Sequence, residues 1–235
     1  MPSPLASTTD DQHAYMLRYF PLRWRAEGAR FLLLAKGSTF KEETPSWPAE
    51  RSQQPLSQLP VLVERSAADG SEFVLSDSVA IERYLAARAG LLVQSGLRDS
   101  AREMQLRAQM EDIHTVLVQY KYGHEAGREM AMDKYRRLAD SFVGYHEELL
   151  RRNGSSGHYF GEAITYADIC LYLLLVLIRS PPDGFPPACE EPFSSGRAPA
   201  INRVYHAVRE DALARPYVAW LEKDDPAAAA RLASF

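Results

Sequence analysis

The stretch YMLRYFPLRWRAE, Tyr15 to Glu27, decides the fold. Tyr15, Leu17 and Tyr19 alternate onto one face, which is the period of a strand. Pro21 turns the chain, and a helix opens near Ala26. Arg23 and Arg25 flank Trp24. A strand that ends on a tyrosine with two guanidinium groups just beyond it has two readings. It is the edge of a core followed by a solvated helix start, or it is a site that holds an anion.

Outward from that stretch the elements come in a fixed order. RAEGARFLLLAKG is a helix stopped by Gly37, with Lys36 in its last turn. STFKEET is a second strand. The polar loop PSWPAERSQQPLSQ leads to LPVLVE, an apolar run of the central-strand type. RSAADG has turn chemistry, and SEFVLS returns as a strand. DSVAIERYLAARAG is a helix with Asp77 and Ser78 at its start and Gly90 at its stop. The pattern is β-α-β, then β-β-α.

Beyond LLVQSGLRDS the strands cease. Two long helices follow, and Tyr135, Leu138, Phe142, Tyr145 and Leu149 make one apolar stripe on the second. In ITYADICLYLLLVLI, Thr165 and Asp168 have the spacing of a capping box, ahead of a run that is apolar all round and therefore buried. A loop rich in Pro, Gly and Ser, Ser180 to Pro199, interrupts before AINRVYHAVREDALA and PYVAWLEK close as helices. The domain reading is a disordered tail over 1–14, an α/β unit over 15–90, a linker over 91–100 and an all-helical unit over 101–235.

The chain has 235 residues and a formal net charge of -4. With no basic run, that gives no footprint for nucleic acid. The longest apolar run is too short to span a bilayer. Cys170 and Cys189 cannot form a disulfide framework, which suits a reducing compartment and a cytoplasmic location. Cys170 is expected in the core, and Cys189, in the Pro-rich loop, at the surface. His114, His124 and His146 lack metal-ligand spacing.

Four dispersed motifs resemble the cytosolic glutathione transferases, and among them the sigma-like, tyrosine-type class. These are YMLRYFPLRWRAE, QLPVLVE, LSDSVAIERYLA and ITYADI, in the family's order and spacing over nearly the whole chain from Tyr15. The resemblance implies an N-terminal thioredoxin-like domain that binds glutathione and an all-helical domain for the co-substrate. It implies an enzyme of detoxification that adds the glutathione thiolate to apolar electrophiles, with glutathione as co-substrate and neither cofactor nor metal. Alternatives are glutathione-dependent isomerisation or peroxide reduction at the same site. A non-catalytic member that binds ligands or partners is an alternative of another class.

The resemblance also implies roles for named residues. Tyr19 would stabilise the thiolate, and Arg25 would support it. A free thiol has a pKa of about 8.5, and lowering it by about two units takes roughly 2.7 kcal/mol. One hydrogen bond to a charged group supplies about 1.5–3 kcal/mol. Leu59, before a cis Pro60, would pair its backbone with the cysteinyl unit, as added strands do. Ser78 would take the γ-glutamyl carboxylate at a helix N-terminus. Asp77 replaces the usual Gln or Glu that meets the ammonium. Trp47, Arg51 and Gln58 would face the glycyl carboxylate. Trp24 replaces the usual glycine and is expected to reshape the mouth of the site. On residue pattern alone each has a plainer reading: a core tyrosine, a trans proline opening a strand, a helix cap, a loop tryptophan beside a solvated arginine. The implied assembly is a C₂ homodimer. Because 51–59 contains no aromatic residue, its interface is expected to be flat and polar.

Overall fold

The structure, a computed structural model, describes residues 13–180, 185–233 and 235. It divides into two compact units, one reaching Leu85 and the other starting at Ala86. The division falls inside the helix that follows the last strand; the order of elements in the sequence ends the α/β unit at residue 90. Residues 1–12 of the expected tail lie outside the described residues. His13 and Ala14 belong to the first strand, because they pair with Ser66 and Arg65.

The first unit is a four-stranded sheet in the order β2-β1-β3-β4. The strands are β1 (His13–Arg18), β2 (Phe40–Glu43), β3 (Val61–Ser66) and β4 (Glu72–Ser76). β1 and β2 are parallel, while β3 is antiparallel to both β1 and β4. α1 (Glu27–Ala35) is the crossover between the parallel pair, and α2 (Ser78–Arg88) follows β4. Tyr15 and Leu17 are buried from one face of β1. Val61, Leu62, Val63 and Glu64 of β3 are buried without alternation, as befits a strand covered on both faces. Glu64 is not stranded there: His13 Nδ1 lies 3.0 Å away, and the Tyr84 hydroxyl donates to it at 2.5 Å. A Cβ on Gly28 of α1 would meet the Glu82 carboxylate of α2 at 2.6 Å, so only glycine lets that side chain lie against α1.

The second unit is helical. Its described helices are α3 (Leu97–Tyr122), α4 (Glu125–Arg152), α5 (Tyr166–Arg179), α6 (Pro199–Glu210), α7 (Arg215–Asp224) and α8 (Pro226–Leu232). α3 starts inside the stretch read as linker. α3 packs on α4, and α5 packs on α3 and α6. α5 is buried along nearly its whole length, as its all-apolar sequence requires. The capping box forms at its start. Asp168 accepts from the Thr165 N–H at 2.7 Å, the Thr165 hydroxyl at 2.8 Å and the Tyr159 N–H at 2.8 Å. Burial nevertheless pushes its carboxyl up to about 7. The Tyr159 hydroxyl meets His146 Nδ1, and burial pulls that imidazole down to about 3.

Residues 181–184 of the Pro-rich loop lie outside the described residues. The rest holds two short 3-10 turns, Pro187–Cys189 and Glu191–Phe193. Cys189 corrects the sequence expectation: it is fully buried beneath this turn, and its carbonyl accepts the Tyr135 hydroxyl. Burial pushes its thiol up to about 11. Among the described residues no helix is long and apolar enough to cross a membrane.

Candidate active site

The site is laid out by sheet register. Arg18 of β1 is opposite Val61 of β3, and Val61 is opposite Ser76 of β4. The next residue outward on each strand is Tyr19, Pro60 and Asp77. These three therefore leave the sheet at one edge, side by side, although 41 and 17 positions separate them in the chain. Tyr19 is only 6% exposed. Its backbone N–H still bonds the Glu43 carbonyl at 3.0 Å, which extends the β1–β2 ladder to the tyrosine itself.

Beyond Tyr19 the chain makes a tight 3-10 turn, Trp24–Ala26, before α1. The Arg25 backbone N–H donates to the Tyr19 hydroxyl oxygen at 3.2 Å. The Arg25 main chain thus meets the Tyr19 oxygen. Trp24 adopts a φ of 45°. That left-handed conformation costs an L-residue with a Cβ about 1–2 kcal/mol, and glycine almost nothing. The indole is buried. Burying so large an apolar group offsets the backbone strain.

Arg30, on α1, holds this turn in place and was missed in the sequence. Its Nε and one terminal nitrogen each donate to the Glu42 carboxylate of β2 at 2.8 Å. Its other terminal nitrogen donates to the carbonyls of Leu22 at 2.9 Å and Arg23 at 3.3 Å. Its guanidinium carbon lies 5.9 Å from the centre of the Tyr19 ring. A single arginine thus ties β2, the turn and the tyrosine together. The signal available in the sequence was a pair of opposite charges three residues apart, Glu27 and Arg30, set into the otherwise apolar EGARFLLLA.

The loop before β3 forms a second cluster. The Leu59–Pro60 bond is cis, and so is Trp47–Pro48, which was not foreseen. Phe20 makes edge contacts with Tyr19, ring centres 5.4 Å apart, and with Trp47 at 5.6 Å. The Arg51 guanidinium lies 5.8 Å from the Trp47 ring centre and donates to the Ser57 carbonyl at 3.2 Å. Tyr19, Trp47 and Arg51 are thereby linked through Phe20, while Gln58 is exposed at the loop's end. Leu56, at a φ of 56°, is 75% exposed. At the head of α2, Asp77 is at a φ of 79°, and its carboxylate caps the helix by accepting the Ala80 N–H at 3.0 Å. Ser78 is buried at the first turn. The cap is the part of the Asp77 reading that the structure shows.

Comparison with known proteins gives this arrangement its relatives. Over 173 residues the chain is 32% identical to the probable glutathione S-transferase 6 of Caenorhabditis elegans, covering 67% of this chain and 76% of that one. The chain belongs to the glutathione S-transferase family. A family model for the glutathione S-transferase C-terminal domain matches residues 111–223. The fold of the Fasciola hepatica sigma class GST superposes with a TM-score of 0.72 at 20% identity, over 90% of this chain and 97% of that one. A monomeric glutathione S-transferase of the hookworm Necator americanus superposes with a TM-score of 0.69 at 23% identity, over 88% and 97%. This glutathione transferase accordingly has the thioredoxin-like unit and the helical unit that its motifs implied, and glutathione is the co-substrate of its activity.

Proposed function

We propose that Tyr19 donates its hydroxyl hydrogen bond to the sulfur of bound glutathione, so that the thiolate forms near neutral pH and adds to an electrophilic carbon of an apolar substrate. The proton leaves to solvent and the sulfur–carbon bond forms; in a substitution the leaving group departs with the electron pair of the bond that breaks, and in an addition the π pair of the broken double bond moves onto the electrophile and takes up a proton from solvent. The observation that carries this reading is the common sheet edge: the ends of β1, β3 and β4 bring Tyr19, Pro60 and Asp77 together. The Arg25 N–H on the Tyr19 oxygen adds to it, because a phenol that accepts such a bond is a stronger donor to an anion.

The rest of the tripeptide follows the same edge. Leu59 pairs its backbone with the cysteinyl unit, ahead of cis Pro60. Ser78, at the positive end of α2, takes the γ-glutamyl carboxylate. Asp77 is already engaged as the helix cap, so its exposed carboxylate meets the ammonium only as a second partner. Trp47, Arg51 and Gln58 serve the glycyl carboxylate, and Arg25 supports Tyr19. The same reading takes the active form to be a cytoplasmic homodimer; neither Cys170 nor Cys189 is in a disulfide, which suits that compartment.

Replacing Tyr19 by phenylalanine removes the donor alone. Turnover with a generic electrophile near neutral pH should fall by about ten- to a hundredfold, roughly 1.4–2.7 kcal/mol. Glutathione affinity should change far less. An unaltered conjugation rate would sink Tyr19 as the activating group, and binding without turnover in the wild-type protein would make the chain a carrier.

A further inference from the structure

The peptide that carries the Arg25 N–H hangs directly on Trp24, so the backbone torsions of Trp24 set the direction of that N–H. Trp24 holds a φ of 45°, where glycine is at home and a bulky side chain is an outlier. Just upstream, the Leu22 and Arg23 carbonyls are fixed by Arg30. Just downstream, the N–H meets the Tyr19 oxygen at 3.2 Å. The unfavourable residue is therefore clamped on both sides, and its buried indole keeps it there.

We infer that Trp24 is a positioning residue, whose left-handed backbone aims the Arg25 N–H at the Tyr19 oxygen and so sets the direction in which that hydroxyl donates. This rests on the reading of Tyr19 as the group that meets sulfur. Strained backbone is kept where surrounding structure over-determines it, and here that structure is Arg30 below and the indole's burial above. The role belongs to the main chain of Trp24; its side chain supplies the anchor.

A size-matched pair of variants separates this from simple packing. Trp24→Asn and Trp24→Thr remove the indole alike and leave similar volumes. Asparagine accepts the left-handed region, and β-branched threonine does not. Both lose activity with the indole, so the test lies in the difference between them. The pH profile of kcat/KM and the ultraviolet absorbance of the bound thiolate both report the acidity of the glutathione thiol. In Trp24→Thr that pKa should stand about 0.5–1 unit above its value in Trp24→Asn, with turnover at neutral pH about three- to tenfold lower. KM for glutathione should agree between the two within about twofold. In a Tyr19→Phe background the difference should vanish. Coincident pH profiles for the two variants overturn the inference. Should Trp24→Thr fail to fold, Trp24→Ala against Trp24→Gly reads the same contrast, and equal profiles there also overturn it. If Tyr19→Phe itself leaves the thiol pKa unmoved, the site reading fails; if it raises the pKa while the Trp24 pair coincide, only the inference about Trp24 fails.

Discussion

Replacing Arg30 by methionine should be the most damaging single change near the site that touches none of the proposed ligand contacts. Methionine keeps most of the unbranched stem, so the loss is that of the charged fork. Two donors to Glu42 disappear, and two turn carbonyls lose their partner. Breaking a buried ion pair from one side typically costs about 3–5 kcal/mol. Glu42 is about a third exposed and recovers water, which moves the expectation to the lower end, about 3 kcal/mol. Arg30→Lys keeps the charge without the fork and should recover no more than roughly half of that. Urea unfolding followed by tryptophan fluorescence measures the loss, with Trp24 and Trp47 as reporters in this unit. A double-mutant cycle with Glu42→Gln isolates the pair and should give a coupling of about 1–2 kcal/mol. Turnover should fall as well, because the turn that presents Arg25 to Tyr19 loses its anchor. A loss below about 1 kcal/mol, or no coupling with Glu42, would refute the assignment of Arg30 as the tie between β2 and the turn.

Ser78→Ala should weaken glutathione binding by about 1–3 kcal/mol, since a carboxylate loses a donor; calorimetric titration showing unchanged affinity would leave Ser78 a purely structural residue. The α5 cluster should produce two opposed pH slopes. The folded-state pKa of Asp168, raised from 3.8 to about 7, makes its contribution to stability full below about pH 4 and lost as pH rises to about 7. That of His146, lowered from 6.5 to about 3, makes its contribution present above about pH 6.5 and lost as pH falls toward 3. Unfolding free energies of Asp168→Asn and His146→Gln, measured from pH 4 to 7, should each lack one of these slopes, and profiles parallel to the wild type would contradict both. Light scattering at micromolar protein and low salt should find a dimer that dissociates as salt rises. A monomer there refutes pairing, and a salt-insensitive dimer refutes the polar interface and turns attention to exposed Leu56.

Much of the first unit was legible because period and punctuation agree in it. The alternation of Tyr15, Leu17 and Tyr19, the stop at Gly37 and the uninterrupted VLVE are local patterns with one structural solution each. The Thr165–Asp168 box was legible for the same reason. What escaped was decided by contacts distant in sequence. Cys189 reads as a surface residue because it lies in a Pro-rich loop, yet Tyr135 on α4 closes over its carbonyl. Arg30 resembled any helical arginine until Glu42 and the Leu22 carbonyl converged on it. The left-handed backbone of Trp24 runs against the residue's own preference, so no propensity could reveal it. For the site, the sequence supplied the residue types; the register that brings 19, 60 and 77 to one edge is a property of the paired strands.

That register has a consequence for how the chain tolerates changes in length. Residues 19, 60 and 77 are held to one another by ladder pairing, not by the loops that join them. Deleting one residue within β3 would slide Pro60 about 3.3 Å past Tyr19 and turn alternate side chains to the opposite face. The hairpin bend between Ser66 and Ser71 closes the other end of β3 and β4. It can gain or lose residues without moving any of the three. Insertions and deletions should therefore accumulate at that bend and be purged from the segments flanking Pro60 and Asp77, so that the unit keeps its ruler at one end while its length drifts at the other.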